Sequence, residues 1–154
     1  MNRRLKYILI ALLVIFGSMQ LIGPEKPITS SDNQGDLLVA SEISSEISGI
    51  LRTACYDCHS METNYPWYGS IAPVSWILYG HINHGREELN FSTWTSMDKR
   101  SKLRALKDIQ EVIEESEMPL SSYVSMHGDA HLTEDQKTAI ITWAKEFARV
   151  VIKE

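Results

Sequence analysis

Strand patterns are missing from this sequence. No segment alternates apolar and polar residues over the length of a strand, and there is no internal repeat. The absence of strands removes the frame in which a thioredoxin-like dithiol normally operates. The periodic apolar positions that are present have helical spacing, so we expect an all-α fold.

Basic residues are fewer than acidic ones beyond the N-terminus, 12 Lys and Arg against 20 Asp and Glu. The formal charge of the 154-residue chain is −5, and it becomes −8 when Arg3, Arg4 and Lys6 are set aside. An acidic surface of this kind argues against nucleic acid as a partner. It suits a partner protein with a basic docking patch.

Charge is absent altogether from Tyr7 to Gly23, a run of 17 residues that follows the basic head. This length lies between a signal-peptide core and a membrane span. No cleavage site of small residues ends the run, and it contains no cysteine, which excludes a bacterial lipid-anchor site. We expect residues 1–23 to be a signal anchor, or else a removed signal peptide, with the remainder exported. The predicted location is the inner membrane with the domain in the periplasm, or the soluble periplasm if the segment is cleaved.

A linker and one domain are expected after this segment. Residues 24–36 contain two prolines and a glycine and are predicted to be the linker. Residues 37–154 form the domain, in which apolar periodicity predicts three helices. They cover Leu38–Ala54, Met97–Glu117 with Thr95 or Ser96 as cap, and the segment from Leu132 to Glu154, where Thr133 and Gln136 form a capping box. The first and last should pack together, and Ser60 to Thr95 is expected to be a long loop.

The two cysteines stand in "CYDCH", residues 55–59, and three interpretations compete. One is a redox dithiol, and another is a zinc site completed by His81 and His84, whose spacing is short for that purpose. The third is the attachment signature of a c-type haem. Cys55 and Cys58 would form thioethers one helical turn apart, and His59 would be the proximal iron ligand. Two cysteines would allow one covalent haem.

The surroundings favour the haem. The domain is predicted to be exported, a helix leads into the motif, and aromatic residues follow it. A flat apolar cofactor suits such a wall. Eight of the thirteen aromatic residues fall in this region: Tyr56, Tyr65, Trp67, Tyr68, Trp76, Tyr79, Phe91 and Trp94.

The sixth iron ligand is the remaining question. In class I c-type cytochromes, a methionine in a loop before the last helix, often followed by proline, fills this position. Met118-Pro119 matches that arrangement and is our first choice. The alternatives are a histidine, with His84 and His127 leading, or an open position. His81, Met126 and His131 are further candidates.

Several sequence blocks extend the likeness beyond the five-residue motif. They are "CYDCHS", "NYPWY", "IAPVSW", "HINHGREELNFSTW", "EMPLSSY", "MHGDAHLT" and "AIITWA". In this combination the chain resembles the bacterial haem-binding domain family of small c-type cytochromes, from about Ser41 to Trp143. The resemblance implies a periplasmic, membrane-tethered protein with covalent haem at Cys55, Cys58 and His59.

We therefore predict a cytochrome c-like helical domain that carries one haem c and transfers electrons between redox partner proteins. The alternative is a haem enzyme or sensor in which the sixth iron position is open or exchangeable. Thioether ligation by Met118 would favour electron transfer, whereas an open position would permit peroxide or small-gas chemistry.

Overall fold

The fold is entirely helical within the described residues, 2–153 of a computed structural model. Met1 and Glu154, the outer ends of the predicted anchor and C-terminal helix, lie outside that range. The eight α-helices are α1 Arg3–Met19, α2 Leu37–Ala40, α3 Ser45–Ala54, α4 Tyr56–His59, α5 Val74–Glu88, α6 Lys99–Glu114, α7 Ser121–Val124 and α8 Glu134–Lys153. Short 3₁₀ turns occupy Trp67–Ser70, Phe91–Ser96 and Gly128–Ala130. The all-α prediction is confirmed.

Helix α1 contains the basic residues Arg3, Arg4 and Lys6 and the charge-free run as far as Met19. It has 17 residues and buries none of them. Between residues 2 and 153, no helix combines the length and the apolar character needed to cross a membrane.

The first predicted domain helix is divided in two. Asp36 caps α2 by accepting a hydrogen bond from the Leu38 amide at 2.9 Å. Ser44 then caps α3 by accepting from the Ile47 amide at 3.3 Å. Because Ser and Asp side chains satisfy the free amides of a first helical turn, each starts a separate helix here.

The other two predicted helices are present. Helix α6 is capped by Asp98, which accepts from the Ser101 amide at 2.7 Å, so the expectation of Thr95 or Ser96 as cap was wrong. The capping box before α8 is confirmed. The Thr133 amide donates to the Gln136 side chain at 2.9 Å, and the Gln136 amide donates back to the Thr133 hydroxyl at 3.2 Å.

The core lies mainly between α6 and α8, which form the most extensive helix pair. Their fully buried side chains include Leu106, Ile140 and Val151. Helix α3 also contacts α8, so the first and last domain helices do meet, although over a smaller area. This core supports α3 and holds the motif that follows it.

The expected loop between Ser60 and Thr95 is the main error of the sequence analysis, because it contains the 15-residue helix α5. Its buried face is formed by Ser75, Tyr79, Ile82 and Gly85, at helical spacing. Two of these four residues are a serine and a glycine, so a search for apolar periodicity misses the pattern.

Candidate functional site

The site is built on α4, a single turn that begins directly after α3. The amides of Cys58 and His59 both donate to the Cys55 carbonyl, at 3.1 and 2.9 Å. This closed turn brings both cysteines and the histidine together as the attachment motif requires.

Tyr56, the first of the two residues between the cysteines, anchors the turn to the core. Its hydroxyl donates to the Asp36 carboxylate at 2.7 Å, and its ring stacks on Phe91 with centroids 5.2 Å apart. Asp36 is fully buried and also accepts from the Ser92 hydroxyl at 3.2 Å. Burial and the bond to Asp36 raise the pKa of Tyr56, so the hydroxyl keeps its proton.

The second intervening residue, Asp57, fixes the turn on another side. It accepts from the Tyr123 hydroxyl at 2.7 Å and from the Asn64 amide at 2.8 Å. Burial raises the pKa of Tyr123, and the bond to Asp57 adds to this effect. Tyr123 in turn stacks on His127 with centroids 4.2 Å apart. The segment after Met118 is thereby joined to the haem motif, a link that sequence spacing did not indicate.

Helix α5 supports the turn at close range. A Cβ atom added at Gly85 would stand 2.9 Å from the Cys58 carbonyl oxygen, so only glycine allows this approach without a shift. The next residue, Arg86, donates to the Ser60 carbonyl at 2.8 Å and to the Thr63 hydroxyl at 3.0 Å. It also donates to the Ile28 carbonyl at 2.8 Å.

The predicted linker has further contacts with the residues that follow the motif. The Ser30 amide donates to the Met61 carbonyl at 2.8 Å, and Asn33 donates to Glu62 at 3.1 Å. Arg52 approaches the same carboxylate at 2.7 Å. Burial alone would raise the pKa of Glu62, but the hydrogen bonds from Arg52 and Asn33 lower it overall.

His59 is arranged as a metal-ligating histidine would be. Its Nδ1 lies 3.0 Å from the Leu89 carbonyl oxygen. A carbonyl can only accept, so Nδ1 carries the proton of this hydrogen bond and Nε2 retains its lone pair. Burial lowers the pKa of His59, which keeps the imidazole neutral. Neutral imidazole is the form that binds iron.

The thiols do not resemble an active dithiol. Burial raises the pKa of Cys55 to about 12 and that of Cys58 to about 11. Reactive Cys-x-x-Cys pairs have lowered values, because the thiolate is the attacking species. The redox interpretation is therefore disfavoured.

The zinc interpretation also finds no support. Among residues 2–153, no three His, Cys, Asp or Glu side chains are grouped so that they could hold a metal ion. The tetrahedral set of Cys55, Cys58, His81 and His84 is not assembled.

A cleft of about 500 Å³ opens beside the motif, a volume typical of cofactor sites. Cys55 and His59 line it, together with His84 and Met118. The apolar wall is mostly aliphatic and includes Leu51, Leu89, Phe91, Ile109, Val112 and Ile140. Of the eight aromatic residues expected to surround the haem, Phe91 is the one found in this wall; Tyr56 and Trp94 belong to the hydrophobic core. Cys58 is not among the lining residues and lies against Gly85 of α5. An apolar cleft with a free imidazole nitrogen and the Cys55 thiol on its wall fits a haem.

Met118 reaches the cleft because of how α6 ends. Ser116 adopts a left-handed φ of 58°, the Glu117 amide donates to the Val112 carbonyl at 2.9 Å, and the Ser116 amide donates to the Ile113 carbonyl at 3.2 Å. This is a Schellman motif with serine at the position usually held by glycine. The Met118 amide also donates to the Val112 carbonyl, at 3.2 Å. The turn brings Met118, which is half-buried, back against the core.

The other candidate ligands lie in different surroundings. His84 is exposed but lines the cleft, on α5. His127 is not among the lining residues and packs between Tyr123 and Tyr68. Met126 is 61% exposed, and His81 and His131 are also exposed. The structure thus brings Cys55, His59, His84 and Met118 to one cleft and leaves His127 outside it.

Exposed carboxylates surround the cleft. They are Glu88, Asp108, Glu111, Glu115 and Glu117. Lys107 bridges Glu111 at 2.6 Å, and Arg104 approaches Asp108 at 3.6 Å. No lysine or arginine is among the residues that line the cleft, so its edge is acidic.

Comparison with known families gives one match. A family model described as a haem-binding domain matches residues 14–146. The match extends N-terminally beyond the likeness seen from Ser41 and includes the predicted linker. No curated protein and no solved structure matches the chain.

Proposed function

Because the chain belongs to the haem-binding domain family, we propose that it is a mono-haem c-type electron carrier in which Cys55 and Cys58 attach the haem. The observation that carries this proposal is the hydrogen bond from His59 Nδ1 to the Leu89 carbonyl, on the wall of an apolar cleft that Cys55 also lines. A bound haem supplies an iron that alternates between the ferrous and ferric states.

The protein's own residues would hold this group and exclude water. Leu89 orients the imidazole, and the aliphatic wall of the cleft lowers the local dielectric constant. Asp36 and Tyr123 fix the two residues between the cysteines, so the attachment turn is rigid. Rigidity favours electron transfer, because a site that changes little between oxidation states needs little reorganisation.

We propose that Met118 would supply the second protein ligand to the iron. The proposal is supported by its place on the cleft and by the Schellman turn that directs the chain there. His84 also lines the cleft, whereas His127 does not, so His84 is the stronger of the two histidine alternatives.

The location we propose is the periplasmic side of the inner membrane, with the N-terminal segment as tether. Haem c is attached outside the cytoplasm in bacteria, and the side chains of α1 from Tyr7 to Phe16 are apolar and exposed. The acidic edge of the cleft suggests redox partners with basic docking patches.

A haem enzyme or sensor is the second candidate function. The exposed His84 on the cleft is the observation that favours it, since this imidazole could act as a general acid or base near an exchangeable iron position.

The optical spectrum of the oxidised holoprotein separates the two functions. A carrier with Met118 as ligand should show the weak long-wavelength band that marks methionine on ferric haem, and Met118→Ala should abolish it. The holoprotein should also bind carbon monoxide slowly when reduced. Rapid carbon monoxide binding in the unmodified protein, with no methionine band, would contradict the carrier proposal and favour the enzyme or sensor.

A further inference from the structure

Residues 63–85 are free of Asp, Glu, Lys and Arg, a run of 23 residues. Charged residues make up 23% of the chain, so about five would be expected in such a stretch. The run includes the Trp67–Ser70 turn and most of α5. It stands out in a chain whose exported part has a formal charge of −8.

Four apolar side chains of this run are exposed, and we call them the Trp67 face: Trp67, Ile71, Val74 and Ile77. Trp67 is 82% exposed and Ile77 59% exposed. Single exposed apolar residues are ordinary, but Val74 and Ile77 lie one turn apart on α5, and Trp67 and Ile71 come shortly before them in the same charge-free run. Such a group favours an interaction surface.

The end of α1 lies against the same part of the molecule. The Gln20 side chain accepts from the Ala72 amide at 3.0 Å and donates to the Ala72 carbonyl at 3.2 Å. Gly23 is so close to the Trp76 indole that a side chain at position 23 would collide with it. The chain that leaves the apolar helix therefore reaches the domain beside the Trp67 face.

We propose that the Trp67 face rests on the surface of the lipid bilayer that holds α1. This inference depends on the proposed tether and adds the orientation of the domain. Tryptophan is favoured at the boundary between lipid and water, and isoleucine and valine gain free energy by leaving water. The absence of carboxylates from this face avoids repulsion by anionic headgroups, which the rest of this acidic domain would meet.

The orientation has a consequence for the haem cleft. Val74 and Ile77 lie in the first two turns of α5, whereas His84 and Glu88 line the cleft from its last two turns. A separation of about 11 residues along a helix is about 16 Å. The cleft therefore lies about 16 Å along α5 from the side chains that would meet the membrane, which leaves its acidic edge open to partners.

Hydroxyl-radical footprinting of the full-length holoprotein tests this orientation. The protein is placed at one chain per disc in nanodiscs of phosphatidylethanolamine and phosphatidylglycerol, and oxidation of each tryptophan is followed by mass spectrometry. Trp143, which is half-buried on α8, is the internal reference. Without a covering surface, Trp67 should be oxidised faster than Trp143 because it is more exposed. With the face on lipid, Trp67 should be oxidised more slowly.

Two variants make the result specific. Val74→Asp combined with Ile77→Asp should lift the face from the bilayer and raise Trp67 oxidation by about threefold or more. The matched change Val150→Asp, at a valine 52% exposed on α8, should leave Trp67 oxidation unaltered.

The outcomes separate this inference from the tether on which it depends. Failure of the chain to enter the discs would overturn both. Entry with Trp67 oxidised faster than Trp143 would keep the tether and overturn the orientation. Protection that persists in the double variant would also overturn it, since the covering surface would then not be lipid at this face. One chain per disc excludes a second copy as the cover.

Discussion

Replacing Asp36 tests how the haem turn is held in place. This carboxylate is fully buried and accepts three hydrogen bonds, from the Tyr56 hydroxyl at 2.7 Å, the Leu38 amide at 2.9 Å and the Ser92 hydroxyl at 3.2 Å. Asp36→Ala removes all three hydrogen bonds and leaves the two hydroxyls and the Leu38 amide without this acceptor.

The expected cost can be estimated bond by bond. A hydrogen bond to a charged group contributes about 1.5–3 kcal/mol, and loss of an N-cap costs about 1 kcal/mol. The long bond from Ser92 lies at the weak end, so the free energy of unfolding should fall by about 4 kcal/mol. This is a large part of the roughly 5–15 kcal/mol that stabilises a typical domain.

Guanidinium unfolding of the holoprotein, followed by far-ultraviolet circular dichroism, measures this loss. Tyr56→Phe removes one of the three bonds and should cost about 2 kcal/mol. Combining it with Asp36→Ala should add less than that, because the two residues share a network. Asp32→Ala is the matched control, an exposed aspartate in the same segment, with an expected change below about 0.5 kcal/mol. A loss of under about 1 kcal/mol in Asp36→Ala would refute the reasoning.

The remaining predictions use the same unfolding assay. Gly85→Ala should lower the free energy of unfolding by about 1–3 kcal/mol, because the new methyl group meets the backbone of Cys58. Gly80→Ala, which has open space in the same helix, should raise it by about 0.5–1 kcal/mol. Equal effects would contradict the close approach at Gly85. Tyr123→Phe should lower the free energy of unfolding by about 1.5–3 kcal/mol, because it removes the hydrogen bond to Asp57. Tyr68→Phe is the control and should lower it far less. Similar losses would show that the bond to Asp57 does not hold the turn. Glu62 has a lowered pKa in the folded state, so its stabilisation is present above its unfolded value of 4.5 and is lost as the pH falls through the folded value. Glu62→Gln should therefore reduce the loss of stability as the pH falls below 4.5, by under about 1 kcal/mol for a pair this exposed. An unaltered pH profile would count against the ion pair.

Local sequence patterns were enough to predict the parts of the fold that depend on local chemistry. The capping box at Thr133 and the apolar stripe of α8 depend only on residues close together in the sequence, and both are present in the structure. Helix α5 was missed because Ser75 and Gly85 occupy half of its buried face. Glycine is needed at position 85, since α5 approaches the backbone of Cys58 there, and that neighbour is 27 positions away in the sequence.

The support around the site was equally hidden. Asp36 is hydrogen-bonded to Tyr56 across 20 positions, and Tyr123 to Asp57 across 66. In the sequence, nothing distinguishes Asp36 and Asp57 from ordinary exposed acidic residues. In contrast, Met118 was expected in a loop before the last helix, and it lies in such a loop on the wall of the cleft, whereas its role as an iron ligand stays a prediction. About half of the eight aromatic residues were expected to line the haem and the rest to pack in the core; only Phe91 of the eight lines this cleft, because the aliphatic stripe of α6 faces it instead.

The central claim is that one haem is attached through Cys55 and Cys58, with His59 as a ligand to its iron. Intact-mass spectrometry of protein expressed with haem maturation machinery, before and after extraction with acidified acetone, tests it most directly. The account predicts the mass of the chain plus one haem, unchanged by extraction, and loss of that mass when both cysteines are replaced by serine. A protein that carries no haem, or that releases it into the acetone, would contradict the account.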